Sequence, residues 1–393
     1  MQVEISDFNK KVSSRRKVLM LLDGVLSNWK GTERFFYLWG NYLEMCGFDV
    51  TLIENINRRS VKSHVRSYPN RPAFKIVEAR FNFLLGIRGE IGELIRDLDP
   101  DVIYVNSFNA LPFVPLFGKR TMFGMHIIHN DTRYQNLRNR LVFRIKYVFL
   151  LAIVKVVWRK KNIAFHALTK NQGEWITKLT RGQFPVFVVE NPVDISLPTP
   201  IETQIKRNDR FRILYFGSWA ESKGFMDFLR VLDFVERSEL RDFVDFVVAG
   251  GGELEELIRI RSSSFGNISI IESPSDEEKE YIMIHSDLLI YLSRMDAYPW
   301  TLVEAQLCGL PVIASDLYPF SDIIVEGVTG RMLSLKEPTQ QIYNSIKYYF
   351  GIWSGDFEQY MRMRKEIINV SKRLSKENVL PRLVDMLINF ISR

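Results

Sequence analysis

The chain has 393 residues, enough for two ordinary domains that each bury a core. It is 46% hydrophobic and 25% charged, an average globular composition that argues against extensive disorder. The net charge of +7 favours an anionic partner. No run of about 18 apolar residues occurs, so no membrane-spanning helix is predicted.

The N-terminal residues and the two cysteines indicate where in the cell the protein is located. Residues 1–16 form a polar stretch without the apolar core of a signal peptide. Cys46 and Cys308 lie in separate parts of the sequence, and neither has the neighbours of a metal site. We therefore predict a polar tail and a reduced, cytoplasmic setting.

The first elements form a βαβ unit. An apolar strand at residues 17–22 is followed by a polar loop containing Gly31. A helix rich in aromatic residues comes next and ends at Gly47, and a second strand follows at residues 48–53. Residues 54–80 are polar and basic, and they are predicted to be a surface connection.

Two features of the first half bear on function. A strand at residues 121–129 ends in His129, which is predicted to reach the carboxyl edge of a sheet; His126, three residues earlier, is predicted to be structural. Residues 137–161 combine eight basic residues with apolar ones and contain no acid. This segment fits either a helix on an anionic membrane surface or a crossover helix with a solvated basic face.

In the second half, strands alternate with helices after a proline-containing linker at residues 195–210. A strand beginning at Phe211 leads into a loop that contains Gly217, Ser218 and Lys223. Further short strands follow, one ending before Gly250 and Gly252 and the next at Ile271. Such alternation predicts a parallel sheet covered by helices.

The most informative stretch is strand, loop, helix and strand between residues 288 and 315. Asp296 lies in the loop and Glu304 in the helix, with seven residues between them. The helix start, at Trp300 and Thr301, offers N–H groups without intrahelical acceptors, an arrangement that suits a phosphate. Loops at the carboxyl ends of parallel strands are where α/β sheets bind ligands. An N-capping Asp and a surface Glu remain the alternative.

This stretch resembles the signature of retaining glycosyltransferases of family 4, which have the two-domain GT-B fold. The resemblance rests on Glu304-Ala305, on residues 308–315 (CGLPVIAS) and on residues 326–330 (EGVTG). It is strong from residue 212 to residue 330, which includes the Lys223 loop, and moderate at residues 17–50 and 190–194.

Three positions depart from the pattern of that family. Asp296 stands where the family usually has Glu, Ser218 replaces an arginine that holds the donor diphosphate, and Lys30 replaces the first glycine of a Gly-Gly pair. The loss of the arginine removes a bidentate phosphate contact.

The resemblance implies an α/β protein of GT-B fold, with two doubly wound Rossmann-like domains facing across a cleft and a C-terminal helix that returns to the first domain. The implied limits are an acceptor-side domain at residues 1–194, the linker, a nucleotide-sugar domain at residues 211–375, and the returning helix at residues 376–393.

The implied activity moves a sugar, with retention, from a nucleoside-diphosphate sugar to a hydroxyl of a glycan or lipid-linked acceptor. No metal or other cofactor is expected, and no nucleic acid. The expected catalytic residues are His129, Lys223, Asp296 and Glu304. The expected donor-binding positions are Gly31, Gly217, Ser218, Gly250, Gly252, Ile271, Trp300 and Thr301. A lipid-linked acceptor would give residues 137–161 a reason to attach peripherally to the inner face of the membrane.

Three other functions remain as alternatives. A nucleic-acid-binding protein would explain the basic composition, although the sequence has no motif for reading nucleic acid and its positive charge is concentrated near residues 137–161. A nucleotide-sugar-binding subunit without turnover would explain the missing arginine, and sugar-nucleotide epimerases share a GT-B-like architecture.

Overall fold

The structure is a computed structural model that describes residues 15–23, 25–26, 31–55, 71–79, 90–106, 118–126, 162–195, 204–336 and 339–393. The described residues pack as two compact units. The first contains those between 15 and 192 together with 376–393, and the second contains those between 193 and 375.

The first unit is built on a seven-stranded parallel sheet of order β3-β2-β1-β4-β5-β6-β7. Its strands are β1 (Lys17–Leu22), β2 (Asp49–Asn55), β3 (Lys75–Ala79), β4 (Val102–Val105), β5 (Arg120–Gly124), β6 (Ile163–Ala167) and β7 (Val186–Val188). The described helices are α1 (Gly31–Met45), α2 (Glu90–Leu98), α3 (Lys170–Thr180) and α10 (Lys376–Ile391).

The prediction of a returning C-terminal helix is confirmed. Helix α10 belongs to the first unit and packs against α1. Its buried side chains, among them Leu383, Leu387 and Phe390, recur at helical spacing and form the apolar face that drives this packing.

Strand β3 corrects the prediction of a simple surface connection at residues 54–80. It pairs with β2 in parallel, with Leu52 opposite Ile76. The sequence KIVEA is a half-buried edge strand with charged residues, a pattern too short and too polar to stand out from a loop. Similarly, β5 ends at Gly124, earlier than the predicted strand, and His129 lies outside the described residues.

The second unit is built on a six-stranded parallel sheet of order β10-β9-β8-β11-β12-β13. Its strands are β8 (Phe211–Ser218), β9 (Val244–Gly251), β10 (Ile268–Glu272), β11 (Leu288–Tyr291), β12 (Val312–Ser315) and β13 (Gly330–Leu333). Its helices are α4 (Phe225–Val235), α5 (Glu255–Ser264), α6 (Asp276–Ile284), α7 (Trp300–Leu307), α8 (Thr339–Gly355) and α9 (Phe357–Ser371).

Each sheet is covered by helices, and the central strands are mostly apolar because both faces are buried. In β11 all four residues are buried, as the continuous apolar run predicted. None of the described helices combines the length and the apolar character that crossing a membrane requires.

Candidate active site

The strand order of the second sheet reverses between β8 and β11. Strand β8 pairs with β9 on one side and with β11 on the other. Strands β9 and β10 follow β8 on the first side, and β11, β12 and β13 are on the second. The loops after these strands therefore diverge at the carboxyl edge and leave a crevice, the usual ligand position in open α/β sheets. The predicted second-unit positions lie at this edge, on strand ends and loops or, for Trp300 and Thr301, at the start of α7.

Two glycines allow the close approach of backbone at this edge. Gly250, with φ of 138°, pairs with Gly217, and a Cβ atom on it would overlap the Gly217 carbonyl oxygen. Gly224, with φ of 70°, ends a short 3-10 turn, and a Cβ atom there would overlap the Leu292 carbonyl oxygen. The loop after β8 can thus lie directly against the end of β11.

That approach brings Lys223 and Asp296 together. The Lys223 Nζ lies 2.7 Å from the Asp296 Oδ2, and the Tyr291 hydroxyl donates to the same oxygen at 2.7 Å. The Asp296 side chain is 14% exposed and that of Lys223 is 33% exposed. Burial, reinforced by the Asp296 carboxylate, raises the pKa of Tyr291 well above its usual value, so this phenol stays a donor.

Arg294 is a functional candidate that sequence reasoning missed. It follows β11, and its backbone N–H donates to the Ser222 carbonyl at 3.0 Å. Its guanidinium holds both oxygens of Asp227, in the first turn of α4, at 2.6–2.9 Å. A fork-to-fork pair of this kind fixes the loop that carries Asp296 to the helix that follows Lys223. Ser218 itself is exposed at the end of β8.

Glu304 is buried and paired. The Lys279 Nζ lies 2.6 Å from its Oε1, and the two side chains are 7% and 4% exposed. Lys279 comes from α6, which follows β10, whereas Glu304 lies in α7, which follows β11. Within the sequence, Lys279 sits in the strongly charged run DEEKE and gives no signal of burial.

Helix α7 begins at Trp300, after Pro299, and no side chain caps its start. Trp300 and Thr301 are half-buried, and their N–H groups have no intrahelical acceptor by helix geometry. Gly252 is exposed after β9, and Ile271 is half-buried in β10 opposite Ala249.

A buried arginine connects the two helices that carry the Lys279–Glu304 pair. Arg364, in α9, is 1% exposed and donates to four backbone carbonyls at 3.0–3.2 Å. Those of Ile284 and Ser286 close α6, and those of Cys308 and Gly309 close α7. A cation at these helix ends satisfies carbonyls that have no intrahelical donor.

In the first unit, Gly31 is the first residue of α1. His126, predicted to be structural, is 8% exposed just beyond β5 and is bonded to a buried tyrosine described below. Among the described residues, no three or more His, Cys, Asp or Glu side chains are grouped as a metal site requires.

Comparison with known proteins shows what the second unit is similar to. Residues 200–367 match the family described as glycosyl transferases group 1. The chain is 26% identical over 229 residues to a GDP-mannose:cellobiosyl-diphosphopolyprenol alpha-mannosyltransferase of Xanthomonas oryzae. That match covers 55% of this chain and spans 54%, about half, of the relative.

Two solved structures share the fold over nearly the whole chain. Anabaena Alr3699/HepE in complex with UDP and glucose superposes with a TM-score of 0.65 at 15% identity, covering 95% of this chain and 100% of that one. WaaG, a glycosyltransferase involved in lipopolysaccharide biosynthesis, superposes with a TM-score of 0.66 at 14% identity, covering 94% and 99%. The predicted α/β architecture of two Rossmann-like units, GT-B, is confirmed. The match to the glycosyl transferases group 1 family lies within the second unit, at residues 200–367.

Proposed function

We propose that this protein is a retaining glycosyltransferase that moves a sugar from a nucleoside-diphosphate sugar to a hydroxyl of a glycan or lipid-linked acceptor. The observation that carries the proposal is the meeting of Lys223 and Asp296, 2.7 Å apart, at the reversal point of the second sheet. One group there attracts phosphate, and the other accepts hydrogen bonds from sugar hydroxyls.

The roles of the residues follow from their chemistry. Lys223 and the N–H groups of Trp300 and Thr301 stabilise the charge that develops on the leaving diphosphate, an electrostatic contribution that is often the largest in catalysis. Asp296, which Tyr291 and Lys223 hold in place, binds the donor sugar. Glu304, oriented by Lys279, binds the ribose hydroxyls.

Retention is proposed to proceed by front-face attack. The acceptor oxygen bonds to the anomeric carbon as the bond to the diphosphate breaks, and the leaving diphosphate takes the proton of the acceptor. His129 is proposed to contact the sugar near that carbon. Gly31 and the glycines at 217, 250 and 252, with Ser218 and Ile271, line the donor site in this proposal.

The names of the relatives support the substrate class. The Xanthomonas relative is a mannosyltransferase for a diphosphopolyprenol-linked sugar, and the Anabaena structure holds UDP and glucose. We therefore propose UDP- or GDP-linked donors first and a polysaccharide or glycolipid product.

Thermal unfolding with UDP, GDP, ADP and dTDP tests the donor site. A ligand at 100 times its Kd adds about 2.7 kcal/mol of stability, so the nucleotide that binds raises the Tm. Glu304→Gln loses most of this rise, whereas Glu239→Gln, an exposed control, keeps it. If no nucleotide or intact sugar nucleotide raises the Tm, the proposal is wrong.

Turnover is tested with the sugar nucleotides of the base so identified and with polyprenyl-diphosphate-linked and free glycan acceptors. Transfer with retained anomeric configuration is expected, unchanged by EDTA because we propose no metal. Donor binding without transfer to any acceptor would instead favour a non-catalytic subunit. Release of an epimerised sugar without an acceptor would favour an epimerase.

We also propose that residues 137–161 attach the protein to the inner face of the membrane. The support is their sequence, which has eight basic and no acidic residues among apolar ones. Co-sedimentation with vesicles containing anionic lipid is expected, with loss of binding in high salt or with neutral vesicles. Equal binding to both vesicle types would contradict an electrostatic attachment.

A further inference from the structure

Three adjacent strands of the first sheet bring a tyrosine and two histidines together. Tyr104 lies in β4, His166 in β6, and His126 immediately beyond β5, which pairs with both strands. The Tyr104 oxygen lies 2.8 Å from the His126 Nε2 and 2.7 Å from the His166 Nδ1. All three residues are buried.

The hydrogen-bond partners assign the protons in this row. The His166 Nε2 lies 2.8 Å from the Val189 carbonyl oxygen, which can only accept, so His166 carries its proton on Nε2. Its Nδ1 then accepts the single hydroxyl proton of Tyr104. The Tyr104 oxygen therefore accepts from His126, whose proton lies on Nε2.

This assignment leaves the His126 Nδ1 as a bare acceptor. The atom is buried and has no hydrogen-bonding partner within the part of the chain that the structure describes. Burial lowers the pKa of His166 to about 4 and that of His126 well below its usual value, and the neighbouring His166 lowers the latter further. Both rings are thus neutral at pH 7, and Nδ1 of His126 carries a lone pair. A buried acceptor without a donor costs free energy that a bound donor group would recover.

The surrounding structure makes room for this row and holds it in place. A Cβ atom at Gly124 would overlap the Tyr104 hydroxyl and crowd the His126 ring, so only glycine at this position leaves space for the hydroxyl. Gln172 donates to the Met125 carbonyl and accepts from the Leu168 N–H, both at 2.7 Å, which ties the chain beside His126 to the end of β6. The Phe35 ring lies 4.4 Å from that of His126, centre to centre.

We propose that Tyr104 and His166 are positioning residues that fix His126 in one tautomer, so that its Nδ1 accepts a hydrogen bond from a hydroxyl of the substrate. The tautomer part stands on the geometry alone. The substrate part rests on the proposed transferase function, because a sugar or glycan supplies the hydroxyl donors.

The tautomer is measured by two-bond ¹H–¹⁵N correlation spectra of protein labelled with ¹⁵N-histidine. The chain has five histidines, so the spectrum is simple, and His126→Gln and His166→Gln assign the two signals. Wild-type His126 and His166 are expected as neutral rings with the proton on Nε2. His285 serves as an internal reference, since its Nδ1 meets the Tyr281 carbonyl at 2.8 Å and therefore carries a proton. A wild-type His126 with a proton on Nδ1 overturns the proposal, and this measurement needs neither substrate nor a variant.

Tyr104→Phe tests the positioning role. Without the hydroxyl, His126 is expected to lose its single Nε2–H pattern while His285 is unchanged. An unaltered His126 signal would show that Tyr104 does not fix the His126 tautomer.

Kinetics then test the contact between His126 and the substrate. His126→Gln keeps an N–H group for Tyr104 but removes the Nδ1 acceptor, and kcat/KM is expected to fall at least tenfold. Wild-type kcat/KM in His126→Gln overturns the substrate part alone.

Discussion

Lys279 and Glu304 form an ion pair that is almost completely removed from solvent, with 2.6 Å between Nζ and Oε1. The pair joins α6 to α7 directly beside the crevice at the carboxyl edge of the second sheet. A carboxylate held in this way has a defined orientation before any ligand arrives, which lowers the ordering cost of binding.

The first prediction concerns the stability that this pair provides. Lys279→Met leaves Glu304 buried without its cation, and breaking a buried pair costs about 3–5 kcal/mol. Lys279→Met/Glu304→Leu removes both charges and is expected to recover much of that loss. Urea unfolding measures both. Lys347→Met, which breaks the exposed pair with Glu239, is the control and should change little. If Lys279→Met were as stable as Lys347→Met, the Lys279–Glu304 pair would not stabilise the fold as predicted.

The second prediction concerns Lys223. Replacing it with Met removes the only lysine that the structure shows bonded to Asp296 among the described residues. We expect kcat/KM to fall roughly 10²–10³-fold, the effect of losing one group that stabilises transition-state charge. The measurement is steady-state kinetics with the sugar nucleotide that the thermal-unfolding and turnover experiments identify. Arg237→Met, just beyond the far end of α4, is the charge-matched control. A fall of less than threefold in Lys223→Met would remove Lys223 from the mechanism.

The third prediction concerns Arg364. Its guanidinium donates to four carbonyls, and Met in its place would leave these acceptors and the ends of α6 and α7 unsatisfied. We expect a loss of about 3–5 kcal/mol, as for other buried charged networks. Lysine cannot reproduce the planar fork, so Arg364→Lys should rescue little. The control is Arg362→Met on the same helix, where the side chain is 69% exposed. Equal unfolding midpoints for the two Met variants would refute the role of Arg364.

The fourth prediction concerns pH. Burial lowers the pKa of His166 from 6.5 to about 4 in the folded protein. Above pH 6.5 neither the folded nor the unfolded state binds this proton. As the pH falls toward 4, only the unfolded state does, so the free energy of unfolding decreases, by roughly 3 kcal/mol at most. Urea unfolding at pH 7 and pH 5 measures the decrease.

The matched variants for this pH effect are His166→Gln and His285→Gln. The first should lose part of the pH dependence between 7 and 5, while the second, half-buried at the end of α6, should keep it. An undiminished pH dependence in His166→Gln would assign the effect to other groups.

Local sequence predicted the residues of the site that lie within one strand–loop–helix segment. Asp296, Trp300, Thr301 and Glu304 belong to a continuous stretch, whose apolar strand and glycine and proline stop signals define its structure. Lys223 was predicted similarly from the loop after β8. Hydrophobic periodicity also sufficed for the two parallel sheets, since buried parallel strands read as short apolar runs.

The partners of these residues were not predictable. Lys279 lies 25 positions from Glu304, Arg294 lies 67 from Asp227, and Arg364 lies 55 from Gly309. In the sequence each is a cation in a polar segment, which is typical of an exposed side chain. Edge strands β3 and β13 were missed for a related reason, since their half-buried residues alternate little.

By itself, the sequence determined the buried central strands and the strand–loop–helix segment that carries Asp296 and Glu304, because those depend on local conformational preference and on which residues must leave water. Only the tertiary structure decided which charges meet. The pairing of Lys223 with Asp296, of Lys279 with Glu304 and of Arg294 with Asp227 depends on strand order and helix packing, which place distant segments side by side. A charge becomes buried only where such packing supplies its partner, and that is a property of the assembled core.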